Sequence, residues 1–136
     1  RRVCTECAER FEFSAEELEQ LVNEYTLNTM EKSLSKQERQ KMITRWQTEF
    51  GENSCIYGRH GLGCAVCHGT GYNGRMGIHE LLVMSTEMRR LISCGASSAD
   101  IFKLAVKEGM KTLRQDAIEK VLQGTTDLAE IRMVCI

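Results

Sequence analysis

Two C-x-x-C pairs bracket the first half of this chain, Cys4-Thr-Glu-Cys7 and Cys64-Ala-Val-Cys67, with residues 8 to 63 between them. Two thiolates so close in sequence can grip one metal ion from one side, and a tetrahedral zinc ion needs two such pairs to fill its shell. If one ion takes both, Cys4 is tied to Cys67 and everything between them must leave and return to the same point. The run after the second pair carries Gly69, Gly71, Gly74 and Gly77, which supply backbone angles that residues with a Cβ seldom reach. Four thiolates leave no open coordination position, so the constellation reads as a structural zinc site built from Cys4, Cys7, Cys64 and Cys67. The rivals are a redox C-x-x-C, which belongs at a helix start in a thioredoxin-like β-α-β context not visible here, and plain buried thiols.

The remaining chemistry is weaker. Seven cysteines are an odd number, which fits reduced thiols in a cytoplasm-like compartment better than a paired disulfide framework. Cys55, Cys94 and Cys135 are read as packing residues. His68 follows Cys67 directly and could replace a ligand, but with four thiols available it is assigned a place beside the site or an exposed one. His60 and His79 read as loop and strand histidines, because no nucleophile or carboxylate is arranged around them, and no catalytic residue is assigned. G-x-x-x-x-G-K-[ST] is absent, so this chain alone is not expected to hydrolyse ATP.

Between the pairs, Ser14-Ala-Glu-Glu17 and Ser35-Lys-Gln-Glu38 are capping boxes, each opening a helix. Leu18, Leu21, Val22 and Tyr25 follow the first at helical spacing, and Met42, Ile43, Trp46 and Phe50 the second, with a polar break from Asn28 to Ser33. These are expected to form an inserted antiparallel hairpin whose apolar stripes pack on each other or on the metal module. Residues 1 to 13 are expected to be extended, Gly51 to Gly63 to be a loop in which Ile56-Tyr57 pairs briefly as a strand, and Arg75 to Val83 to be a strand by its β-branched and apolar content, with an early helical turn as the alternative. Thereafter Ser85, Ser97 and Asp127 stand at helix starts, and Gly95, Gly109 and Gly124 at helix ends. The inward faces are assigned to Met88, Leu91 and Ile92; Ile101, Leu104 and Ala105; Leu113, Ala117, Ile118, Val121 and Leu122; and Leu128, Ile131 and Val134. The expected fold is α+β and mostly α-helical. A zinc-stapled module covers 1–83, with its helical hairpin insert at about 14–51, and a compact helical bundle covers 84–136.

Composition excludes more than it assigns. In 136 residues, 18 basic against 19 acidic side chains give no overall field for nucleic acid or an anionic membrane surface, and four zinc-bound thiolates would make the balance more negative still. No apolar run approaches the roughly 20 residues of a membrane span, so direct insertion is not expected. The chain opens on Arg1-Arg2-Val3 without an initiator Met and is expected to be a piece of something longer.

Cys4-Thr-Glu-Cys7, Gly63-Cys-Ala-Val-Cys67 running into Thr70-Gly-Tyr-Asn-Gly-Arg-Met-Gly-Ile-His-Glu80, Gly109-Met-Lys-Thr-Leu-Arg-Gln-Asp116 and Thr126-Asp-Leu-Ala-Glu-Ile131 resemble the C-terminal part of the type II secretion and type IV pilus assembly ATPases. The resemblance implies a hexameric cytoplasmic motor, peripheral to the inner membrane through its partners. Its ATP- and Mg-binding core would precede the tetracysteine region. Partners implied are neighbouring subunits, the inner-membrane platform and cytoplasmic assembly proteins. The chain departs from the family pattern at Thr5, where proline is usual, at Ala117, where glycine is expected, and in a longer segment between the pairs. Arg75 and Glu80 are candidates for an ion pair, and Arg114, Gln115 and Asp116 for a subunit contact or first-turn capping. Two other classes fit parts of the pattern: a chaperone-type zinc domain, from C-x-x-C-x-G-x-G at Cys64 to Gly71, and a free-standing zinc adaptor binding through the hairpin.

Overall fold

The computed structural model describes residues 1–27, 29 and 34–135; most of the expected break from Asn28 to Ser33 lies outside them. Among the described residues the chain forms two strands and six helices, an α+β fold dominated by helix. Strands β1 (Ala8–Glu12) and β2 (Tyr57–Gly61) pair antiparallel, with Ala8 opposite Gly61 and Glu12 opposite Tyr57. The ribbon therefore has two ends with different jobs. At one end Leu62 N–H donates to Cys7 O at 3.0 Å, beside the cysteines; at the other Phe13 N–H donates to Ile56 O at 2.9 Å, beside the hydrophobic core. Arg10 stacks over the Tyr57 ring at 3.6 Å and stiffens the surface between them.

Helices α1 (Ala15–Thr26) and α2 (Lys36–Phe50) leave and rejoin the core end of that ribbon. Both open with the capping boxes legible in the sequence, at Ser14 with Glu17 and at Ser35 with Glu38, which satisfies amides the first helical turn otherwise leaves unpaired. Leu18, Leu21, Val22, Tyr25, Ile43 and Trp46 are buried, and Tyr25 meets Trp46 edge-on with centroids 5.3 Å apart. The hairpin does not pack only on itself. Its core is continuous with Ala117, Ile118, Val121 and Leu122 of α5 (Leu113–Leu122) and Ile131 of α6 (Leu128–Val134), so one hydrophobic cluster draws on residues from both sides of Val83. Ala117 is fully buried.

Helices α3 (Thr86–Ser93) and α4 (Ser98–Lys107) pack on each other, burying Met88 and Ala105. Ser85 caps α3 through Met88 N–H and also donates to Glu108 at 2.8 Å.

Several expectations need correction. Tyr57–Gly61 is a full strand rather than part of a loop, because β1 pairs with it along its length. Arg75 to Val83 forms no strand: strand-like composition makes a strand only beside a partner, and among the described residues β1 and β2 pair with each other alone. The segment instead crosses the start of α5, where His79 N–H donates to Asp116 and Leu113 N–H to Glu80. Ile92, Leu113 and Val134, assigned inward, are exposed, because these short helices each present only a narrow stripe to a neighbour. Cys94 is exposed rather than packed, whereas Cys55 and Cys135 are half-buried. Among the described residues no helix is long and apolar enough to cross a membrane.

Candidate metal centre

Each cysteine pair is placed by backbone hydrogen bonds. Cys4 follows Val3, which bridges to Tyr72, and its own N–H donates to Gly71 O at 2.9 Å. Cys7 immediately precedes β1. Cys64 and Cys67 lie in the turn after β2, closed by Gly69 N–H to Cys64 O at 2.9 Å and by the Thr70 hydroxyl to Cys67 O at 2.6 Å. The two strands thus deliver the two pairs to one point. All four sulfurs lie within 4.8 Å of one another, with Cys4–Cys64 at 3.9 Å, Cys7–Cys67 at 3.8 Å and Cys64–Cys67 at 3.7 Å. A tetrahedral ion with metal–sulfur bonds of about 2.3 Å sets its sulfurs about 3.8 Å apart. The cluster therefore has the size and donor chemistry of a tetrathiolate zinc site and could hold a metal ion. A disulfide, with sulfurs about 2.05 Å apart, is not what these spacings describe.

Burial and amide donors are unevenly shared. Cys4 and Cys67 are 1% and 4% exposed, while Cys7 and Cys64 are half-buried. Gly63 N–H donates to Cys7 Sγ at 3.3 Å; Cys64 N–H and Gly71 N–H both donate to Cys67 Sγ, at 3.1 and 3.3 Å. Burial opposes ionisation of both accepting thiols. At Cys7 it prevails over the Gly63 amide and, with the neighbouring thiols, pushes the group up to about 12. At Cys67 the amides of Cys64 and Gly71 and the thiols of Cys64 and Cys7 outweigh it, and the group falls to about 6. Thiols bind a metal as thiolates, so a dication held by Cys4, Cys7, Cys64 and Cys67 would displace their protons.

His68 lies outside the sulfur group, exposed on a turn with φ of 52°. His60 faces Phe11 and Glu9, and His79 lies against Gly77. Of the four glycines after the second pair, Gly69, Gly71 and Gly74 take positive φ and Gly77 does not.

A second set of contacts was not legible in the sequence. The cysteine cluster is clipped to the turn between α5 and α6. Val3 N–H donates to Thr125 O at 3.0 Å, the Thr126 hydroxyl donates to Arg1 O at 2.8 Å, and the Tyr72 hydroxyl donates to Asp127, the N-cap of α6, at 2.6 Å. Arg1 pairs with the buried Glu130 and lies over the Tyr72 ring at 4.3 Å. The Arg1 guanidinium, against the opposing effect of burial, holds the Glu130 carboxyl well below the usual carboxylate range. Burial and Asp127 push the Tyr72 phenol up to about 12. The one available signal was Glu130 itself, an acidic residue beside Ile131 on the inward face of α6.

The residues singled out at the start of α5 turn inward. Arg114 reaches Glu24 and Cys135 O, Gln115 completes a capping box and donates to Tyr25 O, and Asp116 binds Lys120. Glu80 accepts from Leu113 N–H and makes no ion pair with Arg75 among the described residues.

A sequence model of the family described as Type II/IV secretion system protein matches residues 1–133. Similar curated proteins include the Type IV pilus assembly ATPase PilB of Thermus thermophilus, 52% identical over 71 residues covering 52% of this chain and 8% of that protein. The Type II secretion system protein HxcR of Pseudomonas aeruginosa is 42% identical over 77 residues, covering 57% and 16%. The Type IV pilus assembly ATPase TfpB of Acinetobacter baylyi is 33% identical over 101 residues, covering 74% and 17%. The chain thus matches less than a fifth of the length of each of these relatives.

Proposed function

The chain belongs to the Type II/IV secretion system protein family, and on that footing we propose that it is the zinc-binding C-terminal portion of a hexameric ATPase powering type II secretion or type IV pilus assembly. Its part in that motor is structural and coupling. Nucleotide and Mg would be bound by a core preceding residue 1, and this portion would pass the core's movement to neighbouring subunits and to the platform and assembly proteins at the inner membrane. The parent protein would be cytoplasmic and reach the membrane through those partners.

The observation that carries this reading is the convergence of four sulfurs at zinc spacing at the point where the β ribbon and the α5–α6 turn meet. Cys4, Cys7, Cys64 and Cys67 would hold the ion. When bound it supplies a cross-link between chain segments far apart in sequence, in a module too small to resist load by core packing alone. The chain's own residues do the rest. Val3, Tyr72 and Arg1 fasten the cluster to Thr125, Asp127 and Glu130, and β1 and β2 join it to the core around Trp46. A displacement at the cluster therefore reaches α1, α5 and α6 through bonded contacts.

The test is Cys64→Ser in the full-length parent protein. Zinc content and secretion or pilus assembly should be lost, while nucleotide binding by the preceding core persists. Assembly at the wild-type level by a zinc-free variant would contradict the proposal. The 136-residue chain alone should show no ATP turnover above background, and measurable turnover would contradict the division of labour.

A further inference from the structure

Gly71 meets both halves of the sulfur cluster. Its N–H donates to Cys67 Sγ at 3.3 Å, and its carbonyl accepts the N–H of Cys4 at 2.9 Å. Among the described residues, no other residue outside the four cysteines hydrogen-bonds to a member of each pair. The position admits little but glycine: φ is +77°, and a Cβ there would stand 2.4 Å from Gly61 O. Gly61 faces it from the end of β2, and its own Cβ would stand 2.0 Å from Gly71 O. Two glycine backbones are thus pressed together beneath the cluster, which sets how far the second pair lies from the first.

We propose that Gly71 is a positioning residue for the metal site, fixing the separation of the two cysteine pairs and, through its amide, lowering the nucleophilicity of the Cys67 thiolate. This rests on the tetrathiolate reading above. An N–H aimed at a thiolate stabilises its charge, so the sulfur is less readily protonated or attacked and leaves the metal more slowly. The carbonyl acts differently: it holds the Cys4 backbone at the distance from which its sulfur reaches the same ion.

Gly69 and Gly74 provide matched comparisons. Their φ values are +78° and +79°, close to that of Gly71, but a Cβ at either meets nothing within 4 Å. Gly71→Ala, Gly69→Ala and Gly74→Ala therefore share the left-handed strain and differ in what they do to the cluster. Zinc affinity and release rate of the 136-residue chain would be read by competition with a chromogenic chelator. Gly71→Ala should weaken zinc about 10- to 100-fold, the usual effect of losing an outer-shell partner, and each comparison variant should lose less than about 5-fold. Replacing the Gly71 amide by an ester, through semisynthesis, removes the N–H alone and keeps the glycine backbone. That variant should keep its far-ultraviolet circular dichroism, release zinc about tenfold faster, and shift the cobalt thiolate charge-transfer band to lower energy. The ester variant decides the matter if Gly71→Ala does not fold. Release and spectra matching wild type in the ester variant would overturn the proposal. Failure of the wild-type chain to bind any metal would instead remove the tetrathiolate reading, and this proposal with it.

Discussion

Tyr25 and Glu119 join the inserted hairpin to the last third of the chain through one buried hydrogen bond. The Tyr25 hydroxyl donates to Glu119 Oε1 at 2.8 Å, and Lys111 donates to Glu119 Oε2 at 2.7 Å. Tyr25 is 7% exposed and the Glu119 side chain 9%, whereas Lys111 is half exposed, so the lysine contributes little and the phenol much. A hydrogen bond to a charged group contributes about 1.5–3 kcal/mol; Tyr25→Phe should cost that amount while changing the ring contact with Trp46 little. Glu119→Ala leaves the buried hydroxyl without its acceptor and should cost at least as much, about 2–3 kcal/mol. The two losses describe one interaction, so the double variant should fall short of their sum by about 1.5–2 kcal/mol. Urea unfolding of the zinc-loaded chain, with slopes compared to confirm that the transition keeps its form, measures all four proteins. Additivity within about 0.5 kcal/mol would refute the claim that this bond locks α1 to α5. Burial and Glu119 also push the Tyr25 phenol well above its ordinary value, so spectrophotometric titration should find Tyr25 the last of the three tyrosines to ionise, and the Tyr25→Phe variant should lack that final step.

Three further outcomes follow from the same contacts. We propose that chelation of the metal removes amide protection not only from residues 1–83 but also from Val121 and Leu122, which share a core with Leu21 and Trp46, while the α3–α4 pair keeps its own protection; hydrogen exchange that leaves 84–136 uniformly unchanged would place the cooperative boundary at Val83 instead. In the zinc-loaded chain a maleimide should modify exposed Cys94 first, and among the four clustered cysteines Cys64 first. Cys64 is half-buried and, among the described residues, receives no amide, so peptide mapping that finds Cys67 ahead of it would contradict the assignment. Glu130 is held well below its ordinary value of 4.5. A depressed carboxylate contributes stability above the ordinary value and loses it as pH falls through the depressed one. The stability difference between wild type and Glu130→Gln should therefore be full above about pH 5 and vanish as pH falls through the depressed value; a pH-independent difference would show that the Arg1 contact is not the cause.

What the sequence disclosed was mostly local. Capping boxes at Ser14 and Ser35 and the stripe from Leu18 to Tyr25 depend on neighbours three or four positions away, and these appear as expected. The tetracysteine cluster was legible because metal chemistry restricts which residues can meet, whatever the path between them. Long-range partners were not legible. The segment from Arg75 to Val83 has the composition of a strand, but composition does not say whether an edge waits for it. Leu113 and Val134 fit a helical stripe, but periodicity alone does not say where a neighbouring helix ends. The bonds from Arg1 and Tyr72 to Glu130 and Asp127 join polar residues that read individually as surface and capping groups; only the fold makes them a clip.

Metal content tests the account most directly. Elemental analysis of purified folded chain should find one zinc per molecule, and cobalt substitution should give tetrahedral ligand-field bands with intense thiolate charge transfer. A folded chain holding no stoichiometric metal, with Cys4 and Cys67 freely reactive towards thiol reagents, would contradict it.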